Sequence, residues 1–411
     1  MNVTITPTLL HGAVTPPPSK SQAHRLLLAA ALADGTSTLS NVAFSQDIQA
    51  TVRCLEALGA AVRQEGDRLA VTGLAGQMAS GKELPELDCG ESGSTLRFLI
   101  PVALAVRGGG VFTGHGRLME RPQEPYFDIF REKGISYEQQ DGILNVKGQL
   151  TPGVYTLPGN VSSQFVTGLL YALPLLPGDS EIHLTTPLES ADYVYMTMEA
   201  LKAFGVAVEY DGERTFRVPG NQTGHPAGMT VEADWSNAAF WYAAAYLDSE
   251  LDIQGLNYHS AQGDACIGRL YWTLAKPGEA EIDVSGCPDL VPPLAAMAAL
   301  RVQGQVTRLV NAARLRIKES DRLATVTEVL TALGAEVEEH ADHLVITGKD
   351  SLPGGVTVSG HNDHRIAMMA AIAATNCAAP VTITGAECVR KSYPSFWDEY
   401  AWLGGKIALS E

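Results

Sequence analysis

One pattern recurs six times along the chain, and it restricts the possible folds more than any other feature. Each copy opens with a polar cap and an alanine- or leucine-rich helical run. The six starts are Ser19-Lys20-Ser21, Ser92-Gly93-Ser94, Ser162-Ser163-Gln164, Asp234-Trp235-Ser236, Pro288-Asp289 and Asn362-Asp363-His364. A short β-branched strand follows, such as Thr38-Leu39-Ser40-Asn41-Val42 or Val381-Thr382-Ile383-Thr384. A polar junction then leads into a second helix ending at glycine, as in Ala57-Leu58-Gly59, Lys133-Gly134, Phe204-Gly205, Leu333-Gly334 and Leu403-Gly404. Glycine is the residue that best tolerates the left-handed conformation closing a helix. Most copies end in two strands around a polar turn, for example Ala61-Val62-Arg63 to Leu69-Ala70-Val71 and Glu336-Val337-Glu338 to Leu344-Val345-Ile346. The fourth copy is compressed near Ala275–Ser285.

Corresponding glycines lie roughly 70 residues apart, longer than a solenoid repeat. Each copy reads helix–strand–helix–strand–strand. Six such modules in 411 residues predict two domains of three modules each, in the α/β (α+β) class. Hydrophobic residues make up 45% of the chain, enough for two full cores and too many for a disordered chain.

The helix starts carry the polar chemistry. A helix N-terminus offers unpaired N–H groups and a partial positive charge, which suit phosphate or carboxylate. Any single Ser or Asn there is most simply a cap, but here the caps also carry basic and hydroxyl residues. Arg25 lies one helical turn past Ser21, so both can face one ligand. The junctions add Gly116-Arg117-Leu118-Met119-Glu120-Arg121-Pro122, the dense run Arg314-Leu315-Arg316-Ile317-Lys318-Glu319-Ser320-Asp321-Arg322, and Arg390-Lys391-Ser392-Tyr393-Pro394. Lys20, Arg25, Arg97, Arg121, Arg314, Arg316, Lys318, Arg322, Arg365, Arg390 and Lys391 make eleven of the 29 basic residues. In a chain of net charge -17, that gathering predicts an anion pocket. The same net charge argues against general binding to nucleic acid or anionic membrane.

Other chemistries find little support. There is no G-x-x-x-x-G-K-[ST], G-x-G-x-x-G or G-x-S-x-G motif. His361-Asn362-Asp363-His364 has no further ligand at a recognisable spacing, so no metal site is expected. Cys54, Cys89, Cys266, Cys287, Cys377 and Cys388 form no C-x-x-C pair and are expected to be reduced thiols. No run approaches the roughly 18 apolar residues of a membrane span. Met1–Gly12 lacks a basic region followed by an apolar run. A cytoplasmic location is expected, with no membrane partner.

Taken in order, Pro18-Ser19-Lys20-Ser21 with Arg25, Arg117-Leu118-Met119-Glu120-Arg121-Pro122, Ser162-Ser163-Gln164, Arg316-Ile317-Lys318-Glu319-Ser320-Asp321-Arg322, Asn362-Asp363-His364-Arg365 and Lys391-Ser392-Tyr393-Pro394 form a specific set. The set resembles the 5-enolpyruvylshikimate-3-phosphate synthases, or 3-phosphoshikimate 1-carboxyvinyltransferases, along essentially the whole chain. The resemblance implies a two-domain inverse αβ barrel with three modules per domain. Residues 1–20 plus 230–411 would form a discontinuous domain and 21–229 a continuous one, with the active site in the cleft between them. The implied reaction moves the enolpyruvyl group of phosphoenolpyruvate onto the 5-hydroxyl of shikimate 3-phosphate and releases phosphate. It implies no metal or organic cofactor, small-molecule substrates only, and a monomer.

Residue roles follow from the same resemblance. Lys20 would contact both substrates. Ser21, Arg25, Ser162, Ser163, Gln164, Ser190 and Lys318 would hold shikimate 3-phosphate, with Tyr193 beside its ring. Gly93, Arg121, Gln164, Arg322, Arg365 and Lys391 would hold phosphoenolpyruvate. Asp289 would bind the acceptor and take its 5-hydroxyl proton, Glu319 would act as acid–base near the substrate methylene carbon, and His364 would support them. Two positions depart from the family pattern. Glu91 stands where many members have asparagine, and Arg314 stands where well-known members have an asparagine that contacts the shikimate phosphate. Gly93 is retained where bulk would narrow the phosphoenolpyruvate pocket, which predicts sensitivity to glyphosate. The related UDP-N-acetylglucosamine enolpyruvyltransferases differ: their reactive loop cysteine has no counterpart in Val111–Pro122, and they begin with lysine-asparagine instead of Lys20-Ser21. A silent module that only binds phosphorylated metabolites is disfavoured by the presence of both Asp289 and Glu319.

Overall fold

The computed structural model describes residues 1–74 and 83–410. The chain divides into two compact units, one of Met1–Pro17 with Ala233–Glu411 and one of Pro18–Glu232.

In the Pro18–Glu232 unit, three modules each contribute a first helix: Lys20–Leu32, Gly93–Arg107 and Ser163–Ala172. These sequences are apolar on nearly every side, which only a buried helix can satisfy. Every residue from Ala23 to Leu32 is buried. Leu27 and Leu28 are fully enclosed, and truncating either to alanine would cost about 2–5 kcal/mol. Pro101 lies within the second of these helices and has no N–H for the carbonyl of Arg97. The hydroxyl of Tyr126 donates to that carbonyl at 2.7 Å instead.

The second helices, such as Gln46–Ala57 and Glu124–Lys133, bury one face each. Left-handed glycines close two second helices of the molecule, Gly134 with φ 68° and Gly334 with φ 103°.

Each module of this unit is backed by a four-stranded sheet with the same topology. In the middle one, Glu86–Asp88 runs parallel to Gly109–Thr113, which is antiparallel to Ile143–Lys147, itself antiparallel to Ser136–Gln140. In the first module the parallel strand is Gly228–Thr230, which pairs with Thr36–Ser40 from the far end of the unit. That pairing closes the set of three on itself.

The other unit repeats the plan with local changes. Strand Asn2–Thr6 lies between Val381–Thr384 and Lys406–Ser410, antiparallel to both. The chain's first strand therefore completes its last module. The fourth module has helix Trp235–Tyr246, strand Glu250–Ile253 and helix Ile267–Ala275, but no closing hairpin. The next strand, Ala280–Asp283, already pairs with Val306–Val310 of the fifth module. His11–Val14 supplies the partner for Glu250–Ile253. The compression expected near Ala275–Ser285 is thus a missing hairpin. No helix among the described residues is long and apolar enough to cross a membrane.

Candidate functional site

The cap residues expected from the sequence do cap their helices. Ser19, Ser92, Ser162, Asp234 and Asp363 each accept a backbone N–H of the first turn. Pro288–Leu290 instead forms a 3-10 turn that leads into helix Val291–Ala299. The polar groups on these caps assemble into clusters within each unit.

In the unit of Met1–Pro17 with Ala233–Glu411, Arg322 sits at the start of helix Arg322–Leu333 with its side chain only 1% exposed. Its guanidinium engages three carboxylates. Nη1 donates to Asp289 Oδ1 at 2.7 Å, Nη2 to Glu319 Oε2 at 2.7 Å, and Nε to Asp363 Oδ2 at 2.8 Å. Arg365 donates from Nη2 to Asp289 Oδ2 and from Nη1 to the Asp289 carbonyl, both at 3.2 Å. Lys318 Nζ lies 3.6 Å from Asp289 Oδ1. Lys391 Nζ donates to the carbonyl of Asn362 at 2.6 Å. His361 and Asn362 take left-handed backbone conformations there, with φ 50° and 51°. A run of such residues costs energy and is held only by its surroundings. His364 is buried, with Nδ1 3.9 Å from Asp363 Oδ1.

Five expected residues, Asp289, Lys318, Glu319, Arg322 and Arg365, therefore meet in one ion cluster. Asp363 joins them; the sequence marked it as a cap but gave it no role at the site. It caps its helix through Arg365 N at 3.0 Å, accepts from Ser320 Oγ at 3.0 Å, and is fully buried. Its place in a cap motif was the available signal.

The cluster sets the ionisation of its members. Burial raises the proton affinity of Asp289, but Arg365, Lys318 and Arg322 outweigh it and hold the carboxyl well below the usual range. Burial brings Lys318 down to about 8, with Arg322 and Arg314 acting in the same direction against Asp289 and Glu319.

In the Pro18–Glu232 unit, Lys20 Nζ pairs with Asp47 Oδ2 at 2.8 Å, a partner the sequence reading missed. Arg25 is buried, donating from Nη1 to the Ser21 carbonyl at 2.7 Å and from Nε to Thr197 Oγ1 at 2.9 Å and the Tyr193 carbonyl at 3.0 Å. Its guanidinium carbon lies 5.6 Å from the Tyr193 ring centre, a cation–π distance. Burial lowers it to about 10. Arg25 and Ser21 are thus neighbours, as their spacing suggested, but Arg25 also locks the helix Ala191–Ala203 segment in place. Ser190, just before that helix, is buried at φ 52°.

Gly93 opens helix Gly93–Arg107 directly against Arg121. A Cβ added at Gly93 would fall 2.6 Å from Arg121 Nη1. Gln164 donates to Ser94 Oγ at 3.1 Å and accepts from Arg97 Nη1 at 2.9 Å. Arg97 also donates to the Pro122 carbonyl at 3.0 Å, next to Arg121. It ties Gln164 to the backbone that follows Arg121, a role sequence reasoning did not assign. Ser163 lies buried in the first turn beside Gln164.

Not every cation of the expected pocket belongs to these clusters. Arg316 is spent on Asp321 at 2.9 Å, Glu339 at 2.8 Å and the carbonyls of His340 and Ala341. It braces the hairpin of its own module. Arg390 is exposed. Arg314 donates to the Ser285 carbonyl and still acts on Lys318 of the ion cluster. Charge density along the chain does not say which way each side chain turns. No group of three or more His, Cys, Asp or Glu side chains among the described residues could hold a metal ion. His361 lies 3.2 Å from Glu328.

The chain matches the EPSP synthase (3-phosphoshikimate 1-carboxyvinyltransferase) family over residues 5–400. It is 45% identical to proteins named 3-phosphoshikimate 1-carboxyvinyltransferase from Clostridium kluyveri and Clostridium acetobutylicum, in each case over 98% of both chains. Its fold is similar to that of the solved EPSP synthase from Acinetobacter baumannii, with a TM-score of 0.80, 24% identity and full coverage of both chains. It is also similar to the enolpyruvyl transferase NikO from Streptomyces tendae, with a TM-score of 0.77, 19% identity and coverage of 99% and 98%. With the family matched from Ile5 to Tyr400 and relatives of this similarity along the whole length, the chain belongs to the EPSP synthase family.

Proposed function

We infer that the chain transfers the enolpyruvyl group of phosphoenolpyruvate to the 5-hydroxyl of shikimate 3-phosphate, the step for which its relatives are named. The observation that carries the residue assignment is the three-carboxylate clamp on Arg322. Two of those carboxylates, Asp289 and Glu319, are partly exposed, and the third, Asp363, is buried. Asp363 therefore serves as a fixed anchor, while Asp289 and Glu319 occupy places that anionic substrate groups can take over.

On this reading, the carboxylate and phosphate of phosphoenolpyruvate recruit Arg322, Arg365 and Lys391, together with Arg121 beside Gly93. Shikimate 3-phosphate is held by Ser21, Arg25, Ser162, Ser163, Gln164, Ser190 and Lys318, with Tyr193 at its ring. Lys20 serves both substrates. When Arg322 and Arg365 turn to the substrate, Asp289 loses two of its cationic partners and its proton affinity rises. It then takes the 5-hydroxyl proton as the oxygen attacks C2. Glu319 enters the cycle as the acid, gives its proton to C3 and takes one back from C3 as phosphate leaves, and the proton on Asp289 departs with the phosphate. The two carboxylates come from different segments, so each can be tuned on its own. The surrounding guanidinium and ammonium groups balance charge on the tetrahedral intermediate and the departing phosphate. His364 supports this arrangement from beside Asp363. We place the enzyme in the cytoplasm as a monomer.

The test is product identification. Incubation with both substrates is expected to give a single product carrying an enolpyruvyl ether at the 5-position, seen by its vinyl proton resonances. Intact substrates after prolonged incubation would overturn the assignment.

A further inference from the structure

We propose that Thr51 is a positioning residue for the phosphoenolpyruvate end of the site, holding Gly93 in place through a buried chain of hydroxyl groups. The inference rests on the enolpyruvyl-transfer reading and adds residues that the motifs do not include.

The chain of bonds joins three helices of the Pro18–Glu232 unit. Thr51 lies in the middle of helix Gln46–Ala57 and is fully buried. On one side its hydroxyl meets His24 Nδ1, on helix Lys20–Leu32, at 2.8 Å. On the other it meets the hydroxyl of Thr95, on helix Gly93–Arg107, at 2.6 Å. Thr95 Oγ1 in turn donates to Ser92 Oγ at 2.7 Å, and Ser92 Oγ also accepts the Thr95 backbone N–H at 3.2 Å. His24, Thr95 and Ser92 are buried as well.

One proton per hydroxyl fixes the direction of the whole chain. Thr95 spends its proton on Ser92, so it accepts from Thr51. Thr51 then has none left for the ring, and His24 donates from Nδ1. Burial holds His24 well below its ordinary value, with Lys20 and Arg25 acting the same way, so the ring is neutral and its proton sits on Nδ1. Each bond in such a chain polarises the next. Removing the Thr51 hydroxyl leaves His24 without its acceptor and Thr95 without its donor, in a place where water cannot substitute.

The chain ends at the cap of the helix that carries Gly93. Ser92 is the N-cap and Gly93 the first residue of the helix, so a cap held from Thr95 and, through it, from Thr51 fixes where the first turn begins. Gly93 packs so closely on Arg121 that one added carbon would lie 2.6 Å from Nη1. Any shift of that turn is therefore felt by the guanidinium. The first two helices have a second tie. Lys20 Nζ pairs with Asp47 Oδ2 at 2.8 Å, one helical turn from His24 and Thr51 respectively. Loss of the Thr51 hydroxyl thus falls on the Gly93 side and spares Lys20.

The experiment measures kcat, both KM values and the thermal midpoint for the wild type, Thr51→Val, Thr51→Ser, Thr95→Val and the double valine variant. Valine keeps the shape of threonine without its hydroxyl, and serine keeps the hydroxyl. Thr51→Val should raise KM for phosphoenolpyruvate about tenfold, the equivalent of about one net hydrogen bond. KM for shikimate 3-phosphate should stay within about twofold, and Thr51→Ser should recover most of the loss. Thr95→Val should cost at least as much as Thr51→Val, and the double variant should match Thr95→Val alone. A hydroxyl that only supports the fold would lower the thermal midpoint while leaving KM for phosphoenolpyruvate unmoved, or move both KM values alike. Either result overturns the proposal, and so does an additive double variant. If Thr51→Val does not fold, Thr95→Val decides by the same split between the two KM values. A wild type with no turnover would overturn the reaction and the proposal together, whereas an active wild type with an unmoved variant overturns the proposal alone.

Discussion

Gly93 and Arg121 offer the sharpest quantitative test of the site. Replacing Gly93 with alanine adds one carbon 2.6 Å from Arg121 Nη1 and 3.0 Å from its Cζ. Ordinary contact needs about 3.5–4.0 Å, so the guanidinium must retreat by about 1 Å. The helix has no objection of its own, because alanine in a first turn is a better helix former than glycine. The cost falls on whatever Arg121 binds. A hydrogen bond stretched by about 1 Å from its normal length is lost. A charge-assisted bond contributes about 1.5–3 kcal/mol, which corresponds to about a 10- to 100-fold rise in KM for phosphoenolpyruvate. KM for shikimate 3-phosphate and the thermal midpoint should hardly change. Steady-state kinetics of wild type, Gly93→Ala, Arg121→Ala and the double variant would complete the cycle. If the reasoning is right, the glycine substitution costs little once Arg121 is gone. An equal penalty in both backgrounds, or KM for phosphoenolpyruvate within twofold of wild type, would refute it. Glyphosate inhibition, expected of the wild type in competition with phosphoenolpyruvate, should weaken in the same variant.

Asp289→Asn and Glu319→Gln should each lower turnover by at least about 100-fold, the scale of general acid–base work, and near-native turnover would remove that residue's role. Lys318, brought down to about 8 by burial, loses its charge as pH rises through that value. KM for shikimate 3-phosphate should therefore climb above pH 8 and stay flat in Lys318→Arg, as measured by initial rates. Gly168→Ala should destabilise the Pro18–Glu232 unit by about 2–4 kcal/mol in denaturant titration. Its new carbon would meet the Arg97 carbonyl at 2.5 Å and Pro101 Cγ at 2.9 Å, and backbone cannot move aside as a flexible side chain does.

The repeat was legible because it is local. Caps, glycine helix ends and strand patterns act over a few residues, and the same signals recur in every copy. Asp289, Lys318, Glu319, Arg322 and Arg365 were legible as a group only through their motifs. Their convergence depends on three segments spread from Asp289 to Arg365. The partners that order the site were harder to see. Asp363 clamps Arg322 across 41 residues, Arg97 orients Gln164 across 67, and Asp47 holds Lys20 across 27. No local pattern encodes such pairs, since only the fold brings them together. Arg316 shows the converse: it sits within the densest basic run, yet it turns to Glu339 and the hairpin carbonyls. The missing hairpin of the fourth module was visible as compression, but not that His11–Val14 would fill the gap.

The central claim is the reaction, and phosphate release tests it most directly. The assay combines the protein with phosphoenolpyruvate in chelator-treated buffer, with shikimate 3-phosphate present, absent, or replaced by UDP-N-acetylglucosamine. The account predicts phosphate release that requires shikimate 3-phosphate and continues to one equivalent per acceptor. Release with the UDP-sugar instead, or none with either acceptor, would contradict it.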